Sequence, residues 1–107
     1  MEILSIATKI PDHSKAYVFG SVLTSIVPND FDLLIVYDQS RWAPGEAYAK
    51  HAELFEEIKI AFGLPVHQTL LTDSEAKSVD IIERTCAVPL DKALRELTRH
   101  RLRRHPN

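Results

Sequence analysis

Apolar and polar residues follow different periods along the chain, and each period predicts a different element. Apolar residues at helical spacing predict a helix over residues 2–10, which Pro11 ends. Short runs rich in aromatic and β-branched residues predict strands over residues 16–19, 30–37 and 64–71. The strand at 30–37 is apolar on both faces after its first residues, which is typical of a strand inside a sheet.

The second half of the chain carries mainly helical patterns. Residues 46–62 have an apolar stripe at helical spacing, and Gly63 stands at the expected C-terminal stop. Residues 72–75 match a capping box that opens the next helix, which continues through Ile82. After a short interruption, a final helix is predicted over residues 90–102. This order of elements predicts an α/β fold, with a small mixed sheet of three or four strands flanked by helices on one or both faces.

Length and charge limit the kind of protein this can be. The 107 residues, 45% of them hydrophobic, can form one domain with a real core but not two. We therefore expect a single domain over residues 1–107, in which residues 90–107 form a basic C-terminal helix and tail. The formal net charge of −2 gives only weak support to nucleic-acid binding. Four arginines crowd the C-terminal end: Arg99, Arg101, Arg103 and Arg104. Such a cluster either complements the dipole of the last helix or contacts an acidic partner.

Cysteine content and hydropathy bear on the compartment. The single cysteine, Cys86, excludes an internal disulfide framework, and its apolar neighbours predict a buried side chain. No apolar run approaches the roughly 20 residues of a membrane span, and the N-terminal segment lacks the basic region of a signal peptide. These features predict a cytoplasmic protein without a membrane partner.

Two aspartates at the start of the second predicted strand are the main candidates for chemistry. Side chains alternate along a strand, so Asp30 and Asp32 point to one face while Phe31 and Leu33 point to the other. Two neighbouring carboxylates repel each other and are costly to desolvate without a partner. A divalent cation removes that cost, because Mg²⁺ binds one or two carboxylates and completes its shell with water and substrate phosphates. The pair therefore indicates a metal site, with turn chemistry and a solvated strand end as the alternative.

A Gly-Ser pair ends the preceding apolar run. Gly20 and Ser21 are suited to a turn that contacts phosphate through backbone N–H groups and a hydroxyl. A turn glycine followed by a helix N-cap serine explains the same residues, and the two roles are compatible. Residues 22–27 form either a brief helix or an irregular loop.

The arrangement of these two motifs resembles a known family. Phe19-Gly20-Ser21, a gap from Val22 to Asn29 and then Asp30-Phe31-Asp32 are similar to the signature of the minimal nucleotidyltransferases of the DNA polymerase β-type superfamily. The order of elements agrees over about residues 1–85. The resemblance implies that Gly20 and Ser21 bind the nucleotide phosphates. It also implies that Asp30 and Asp32 are catalytic, binding Mg²⁺ and activating the attacking oxygen.

The third carboxylate of the family is replaced here. Active members carry it on the next core strand, and His67 falls at that position in the segment 66–72. An imidazole can act as a base or bind a metal ion, although hard cations such as Mg²⁺ prefer oxygen. His67 is therefore a third candidate catalytic residue, and its identity bears on whether the site is active.

The resemblance also implies a function. It predicts a Mg²⁺-dependent nucleotidyltransferase that transfers a nucleoside monophosphate, AMP from ATP, to a hydroxyl of a protein partner. Minimal members are paired as antitoxins with small helical toxins, so such a toxin is the expected partner. One alternative is a catalytically degenerate relative that binds a nucleotide or a partner protein. The other is an unrelated α/β protein in which the aspartate pair is coincidental.

Trp42 and Glu75 each have both a site role and a structural role open to them, whereas His51 has only a structural role. Trp42 in the predicted loop 39–45 suits either packing or stacking on a base, with Arg41 near a phosphate. Glu75 suits either the capping box or a substitute third carboxylate. His51 lies on the apolar stripe of its helix, which predicts a partly buried core histidine.

Overall fold

A four-stranded mixed sheet organises the structure, a computed structural model that describes residues 3–104, with the side chains of Pro44 and residues 100–104 excepted. The strands are β1 (Ser14–Phe19), β2 (Phe31–Tyr37), β3 (Val66–Thr72) and β4 (Val88–Pro89). The helices are a 3₁₀ helix (Ile3–Lys9), α1 (Ser21–Thr24), α2 (Pro44–Lys50), α3 (Ala52–Phe62), α4 (Asp73–Val79), α5 (Ile81–Thr85) and α6 (Leu90–Arg104). The predicted α/β fold with a mixed sheet is confirmed.

The strand order in the sheet is β3-β2-β1-β4. β2 pairs antiparallel with β1 and parallel with β3. β1 also pairs antiparallel with β4, through Tyr17 and Val18. β2 is thus an interior strand, as predicted, and every residue from Leu33 to Tyr37 is buried.

One face of the sheet packs against the 3₁₀ helix, α3 and α6 and forms the main core. Phe31, Leu33 and Ile35 of β2 project into it and are fully buried. The helices contribute the buried residues Ile6, Leu54, Phe55, Ile58, Leu90, Ala93 and Leu94. Burial of one such large apolar side chain stabilises the fold by roughly 1.5–3 kcal/mol, so this face fixes β2 in place.

The other face of the sheet is covered only in part. Leu34 and Val36 of β2 pack with Ala76 of α4 in a second, smaller cluster. Its partly buried members are Tyr17, Phe19, Leu71, Ile81 and Ile82. This cluster lies toward the C-terminal end of β2, and Asp32 at the N-terminal end is less buried than the strand that follows it.

The predicted helix over residues 46–62 is wrong as a single element, because it is divided into α2 and α3 at His51. The His51 Nδ1–H donates to the Ala47 carbonyl at 2.6 Å, the acceptor that the backbone N–H of His51 would use in a regular helix. That backbone N–H instead donates to Tyr48 O at 3.1 Å. The side chain thus competes with its own backbone and tightens the turn.

His51 itself is fully buried, so the prediction of a core histidine is confirmed. A carbonyl only accepts hydrogen bonds, so Nδ1 carries the proton and the neutral ring accepts at Nε2 from the Ser14 hydroxyl, at 2.9 Å. The ring also stacks on Phe55 and meets the edge of Trp42. Burial lowers the pKa of His51, against a smaller opposing effect of the Ala47 carbonyl.

The predicted capping box is confirmed, but the helix that it opens is shorter than expected. The Thr72 N–H donates to Glu75 Oε1 at 2.9 Å, and the Glu75 N–H donates to Thr72 Oγ1 at 3.2 Å. Asp80 then adopts left-handed backbone angles, with φ 51° and ψ 43°, and separates α4 from α5. Aspartate is one of the few residues other than glycine that visit this region, which is why the chain can turn here.

The end of α5 corrects a second prediction. Cys86 has φ 56° and is exposed, so its predicted burial is wrong. Its backbone N–H donates to Glu83 O and that of Ala87 donates to Ile82 O, which closes the helix with a turn at the surface. The neighbouring apolar residues enter the core while this turn directs Cys86 outward.

Both ends of the described chain are helical. The predicted helix over residues 2–10 is a 3₁₀ helix from Ile3 to Lys9, and the predicted final helix is confirmed as α6. Arg99 is exposed, whereas the side chains of the other three C-terminal arginines and the tail 105–107 lie outside the described residues. Among residues 3–104, no helix is both long and apolar enough to cross a membrane.

The buried neutral His51 predicts a loss of stability in mild acid. Its pKa in the folded state is below the ordinary value of 6.5, so its contribution is complete above about pH 6.5, where both states are neutral. Below that pH the unfolded chain binds the proton more readily, which costs up to about 1.4 kcal/mol per pH unit. Urea unfolding at pH 7.5 and 5.5 should show this loss.

The variant His51→Gln should reduce the difference in unfolding free energy between the two pH values. His13→Asn is the matched control, since His13 is exposed and its φ of 68° suits asparagine. An unchanged pH dependence in His51→Gln would contradict the assignment of the effect to this ring.

Candidate metal and nucleotide site

The sheet topology brings the ends of three strands together. β1 is antiparallel to β2, so its last residue, Phe19, lies beside Asp32 near the start of β2. β3 is parallel to β2, so His67 near its start also lies beside Asp32. Gly20 and Ser21 follow Phe19 directly, so the Gly-Ser turn and the aspartates lie together at one end of the strands.

Strand alternation places the candidate ligands on one face. Phe31 and Leu33 are fully buried in the main core, and Asp32 lies on the opposite, partly covered face. The carboxylates of Asp30 and Asp32 and the ring of His67 lie on that side, with one ligand atom of each within 4.8 Å of the others. Within residues 3–104, this is the group of histidine and acidic side chains that could hold a metal ion.

His67 faces both carboxylates through the same nitrogen. Its Nδ1 lies 3.4 Å from Asp30 Oδ2 and 3.7 Å from Asp32 Oδ1. Both distances exceed the usual N–H···O range of about 2.7–3.2 Å, so neither is a good hydrogen bond. The Asp30 and Asp32 side chains are 28% and 23% exposed and that of His67 is 63% exposed, so the cluster is open to solvent.

Gly20 lies directly against the carboxylate of Asp32. It has φ 85° and ψ −158°, a conformation that is essentially confined to glycine. A Cβ atom at this position would overlap Asp32 Oδ2 and lie 3.2 Å from its Cγ. The glycine therefore serves two needs at once, the backbone turn and the close approach of this turn to the carboxylate.

The negative charge of the Asp32 carboxylate is only partly compensated by its surroundings. Burial raises its pKa, and the negative charge of Asp30 raises it further, while His67 acts in the opposite direction. A raised pKa means that the charged form costs free energy in the folded protein. A bound cation would remove this cost, which supports a metal site on grounds independent of the spacing.

Ser21 is the first residue of α1, and Gly20, not Ser21, occupies the N-cap position. No side-chain hydrogen bond caps this helix. The Gly20 carbonyl accepts from the Leu23 N–H and that of Ser21 from the Ser25 N–H. With only four residues, α1 has a small dipole, so any contact with phosphate would depend on the Ser21 hydroxyl and the N–H groups of the turn.

The donor set fits a divalent cation. Two carboxylates and one imidazole are ordinary ligands for first-row divalent metal ions, and the carboxylates alone also suit Mg²⁺. Because Gly20 has no Cβ atom, the turn lies directly against the carboxylate of Asp32. The side chains of Asp30, Asp32 and His67 would hold the ion, and the structure identifies neither the ion nor a nucleotide.

Two other sequence candidates lie far from this cluster. Trp42 contacts Tyr37 and His51, with ring centroids 6.5 and 5.7 Å apart. Tyr37 ends β2 five residues after Asp32, which is about 17 Å along the strand. The packing role of Trp42 is therefore the observed one, and base stacking by Trp42 with Arg41 at this site is not supported.

Glu75 is likewise engaged elsewhere. Its carboxylate accepts from the N–H of Thr72, the last residue of β3, whereas His67 lies near the start of that strand. It therefore does not stand in for a third carboxylate. Thr69, two residues after His67, pairs with Leu34 and is a neutral neighbour on the same face.

Two features of the site were missed from the sequence. The contact between Gly20 and the Asp32 side chain requires the register of β1 on β2, which no local pattern specifies. Phe19 forms the cross-strand neighbour of Asp32 and packs in the smaller cluster. Both features could have been predicted by assuming that the first two predicted strands form an antiparallel pair joined by residues 20–30.

Comparison with known proteins adds no further identification. No family model matches the chain, and no curated protein and no solved structure shows a significant match.

The packing of Gly20 on Asp32 predicts that Gly20→Ala is strongly unfavourable. The backbone conformation and the overlap with the carboxylate should together lower the free energy of unfolding by roughly 1–3 kcal/mol. Gly45→Ala is a matched control, because Gly45 lies in α2 with nothing within 4 Å of an added Cβ, and should be neutral or slightly stabilising. Gly63→Ala, with φ 64° and the same open space, isolates backbone strain.

A double-mutant cycle separates the overlap from the strain. In the background Asp32→Ala, the carboxylate is absent and Gly20→Ala should cost less than in the wild type, as measured by urea unfolding. An equal cost in both backgrounds would show that the two residues are not coupled.

The charge pair predicts that Asp32→Asn stabilises the metal-free protein at pH 7. Loss of the desolvated charge and of repulsion by Asp30 should raise the free energy of unfolding by less than about 1 kcal/mol. Because the folded-state pKa of Asp32 is raised, this gain should shrink as the pH falls toward 3.8 and the carboxyl is protonated in both states.

Asp38→Asn is the control for that measurement and should act in the opposite direction. The Asp38 carboxylate accepts from the Ser40 N–H and hydroxyl, at 2.9 and 2.7 Å, and these bonds lower its pKa. A clear loss of stability in metal-free Asp32→Asn would contradict the proposed cost of burying the Asp32 charge beside Asp30.

Proposed function

We propose that this protein is a metal-dependent nucleotidyltransferase that transfers a nucleoside monophosphate, AMP from ATP, to a hydroxyl group of a protein partner. The observation that carries the proposal is the contact of the Gly20-Ser21 turn with the carboxylate of Asp32, beside Asp30 and His67. This chemistry requires a phosphate-binding turn beside a metal-binding pair, and the proposal is supported by the position of the Gly20-Ser21 turn beside the aspartates, on adjoining strands.

Asp30 and Asp32 supply the ligands for the cation. Their carboxylates share one face of the sheet and are partly exposed, so a nucleoside triphosphate with Mg²⁺ can reach them from solvent. Asp30 and Asp32 would hold the cation, which would supply positive charge to offset the negative charge that develops at the α-phosphorus and on the leaving pyrophosphate. Phe31 and Leu33, which are buried in the main core on the opposite face of the sheet, hold the two carboxylates in position.

Gly20 and Ser21 would hold the β- and γ-phosphates. The missing Cβ at Gly20 lets the turn approach the carboxylate side of the site closely. The Ser21 side chain can donate a hydrogen bond to a phosphate oxygen. The turn thus sets the direction of the triphosphate relative to Asp32.

The reaction is an in-line displacement at the α-phosphorus. The acceptor oxygen forms a bond to phosphorus, the bond from phosphorus to the β-bridging oxygen breaks, and pyrophosphate leaves with that electron pair. The acceptor hydroxyl loses its proton, which Asp32 or His67 would accept before it passes to solvent. The products are the nucleotidylated partner and pyrophosphate.

The acceptor is the part of the proposal that depends most on the family resemblance. Minimal nucleotidyltransferases act with small helical partner proteins, and an antitoxin role here would make the partner a toxin of that kind. The partly covered face of the sheet leaves the cluster accessible to a large substrate, since His67 is 63% exposed. This openness supports a macromolecular acceptor in preference to a small one enclosed in a cleft.

A second candidate function follows from His67. Because an imidazole stands where a third carboxylate would be expected, the site suits nucleotide or partner binding without transfer. Under this alternative the same residues bind the nucleotide, and only the transfer step is absent.

Calorimetric titration of ATP tests the site. The wild-type protein should bind ATP in the presence of Mg²⁺ but not in the presence of EDTA. In Asp32→Asn, the affinity for ATP in the presence of Mg²⁺ should be lower by about tenfold or more. Asp38→Asn is the matched control, because it removes a carboxylate from the far end of β2. Binding that ignores both the metal and Asp32 would exclude the proposed site.

Transfer is tested separately from binding. Protein incubated with ATP labelled at the α-phosphate, together with a co-expressed partner, should yield labelled partner for the wild type and not for Asp32→Asn. Metal-dependent binding without incorporation into that partner would favour the binding module.

A further inference from the structure

We infer that His67 makes this cluster a three-ligand site that selects Zn²⁺-like ions over Mg²⁺ at the position shared with Asp30 and Asp32. The inference rests on the proposed function in taking the cluster as the metal site, and it goes further by naming the class of ion. It concerns His67 as a ligand and as the residue that determines metal specificity.

The first support is the distance between the donor atoms. His67 Nδ1 lies 3.4 Å from Asp30 Oδ2 and 3.7 Å from Asp32 Oδ1. Ligands at about 2.0–2.1 Å from a tetrahedral Zn²⁺ are about 3.3–3.4 Å apart. Ligands at the same distance from an octahedral Mg²⁺ are only about 2.9 Å apart. The two separations from His67 Nδ1 are nearer to the tetrahedral value than to the octahedral one.

The second support is that these contacts are not explained as hydrogen bonds. One nitrogen faces two carboxylate oxygens at distances that exceed the usual hydrogen-bond range. As ion pairs these contacts require a protonated ring, and a single N–H can be directed well at only one oxygen, whereas a shared cation would be held by the neutral ring and both carboxylates together. The remaining coordination position would point to solvent, where His67 is exposed, and is free for water or a phosphate oxygen.

The third support is ligand chemistry. Mg²⁺ is a hard cation that prefers oxygen and keeps much of its water, and it gains little from an imidazole. Zn²⁺ binds imidazole and carboxylate readily, and Co²⁺ commonly takes similar ligands. An aspartate at position 67 would make the set all-oxygen and suited to Mg²⁺, so the choice of histidine at this position changes the preferred ion.

Metal titration without nucleotide tests this inference. Zn²⁺, Co²⁺ and Mg²⁺ are each added to the metal-free full chain, as wild type, His67→Asp and His67→Ala, and affinities are measured by calorimetry. Nearly every site of nitrogen and oxygen ligands prefers Zn²⁺ to Mg²⁺ to some degree, so the decisive quantity is the ratio of the two affinities. His67→Asp should lower the ratio of Zn²⁺ to Mg²⁺ affinity by about tenfold or more.

The absorption spectrum of bound Co²⁺ gives a second readout. Four-coordinate Co²⁺ absorbs visible light much more strongly than six-coordinate Co²⁺, so the wild type should show an intense spectrum that His67→Ala loses. His13→Asn is the matched control, because it removes an exposed histidine from the other end of the sheet and should leave the ratio and the spectrum unchanged.

The outcomes distinguish this inference from the proposed function. If ATP binding requires Mg²⁺ and Asp32 while His67→Asp leaves the affinity ratio unchanged, the proposed function stands and the inference is overturned. If Zn²⁺ binding depends on His67 while ATP does not bind with either ion, the metal specificity stands and the nucleotide function is overturned. A Co²⁺ spectrum that persists in His67→Ala also overturns the inference.

Discussion

The fixed register of β2 between its two neighbours is the constraint on which the rest of the structure depends. β2 is buried on one face by the main core and on the other by the smaller cluster, so a shift by one residue would exchange its faces. That shift would place Asp32 in the main core and Phe31 in solvent. Burial of Phe31, Leu33 and Ile35 therefore also determines where the carboxylates point. The core stabilises the site geometry without contributing any chemistry to it.

The same constraint explains why stability and chemistry conflict at one end of the sheet. Asp32 is held beside Asp30 with its pKa raised by burial and repulsion, and Gly20 adopts a conformation that other residues avoid. Neither feature stabilises the metal-free fold. At the other end of β2, by contrast, Asp38 accepts two hydrogen bonds from Ser40, and His51 donates to Ala47 and accepts from Ser14. Polar groups there are satisfied within the protein, whereas the two carboxylates of the cluster face each other and are only partly compensated by His67.

The sequence predicted the parts of the fold that depend on local pattern. The interior position of β2, the capping box at Thr72 and the shared face of Asp30 and Asp32 follow from alternation and short-range spacing. The break at His51 did not follow, because it depends on the hydrogen bond from the His51 ring to the Ala47 carbonyl, which no spacing of apolar residues specifies. The exposure of Cys86 was missed because an apolar neighbourhood in sequence does not fix the direction of a residue in a left-handed turn. Neither case follows from the apolar pattern, because each depends on how a single residue is hydrogen-bonded or turned in the folded chain.

Position 67 illustrates how far the site itself can be predicted. The family resemblance implied that His67 stands at the position of the third carboxylate, and the parallel pairing of β3 with β2 brings it beside Asp32. The role of His67 could not be predicted from spacing, because a histidine at that position is consistent both with the loss of a catalytic carboxylate and with a different metal ligand. The distances to both carboxylates favour a ligand, since an imidazole that merely replaced a lost function would not need to face both oxygens through one nitrogen. His67 lies on β3, an edge strand, and its side chain is 63% exposed, whereas those of Asp30 and Asp32 are 28% and 23% exposed. The cluster thus combines two partly buried oxygen donors with one exposed nitrogen donor, and in our inference the nitrogen donor sets the choice of ion.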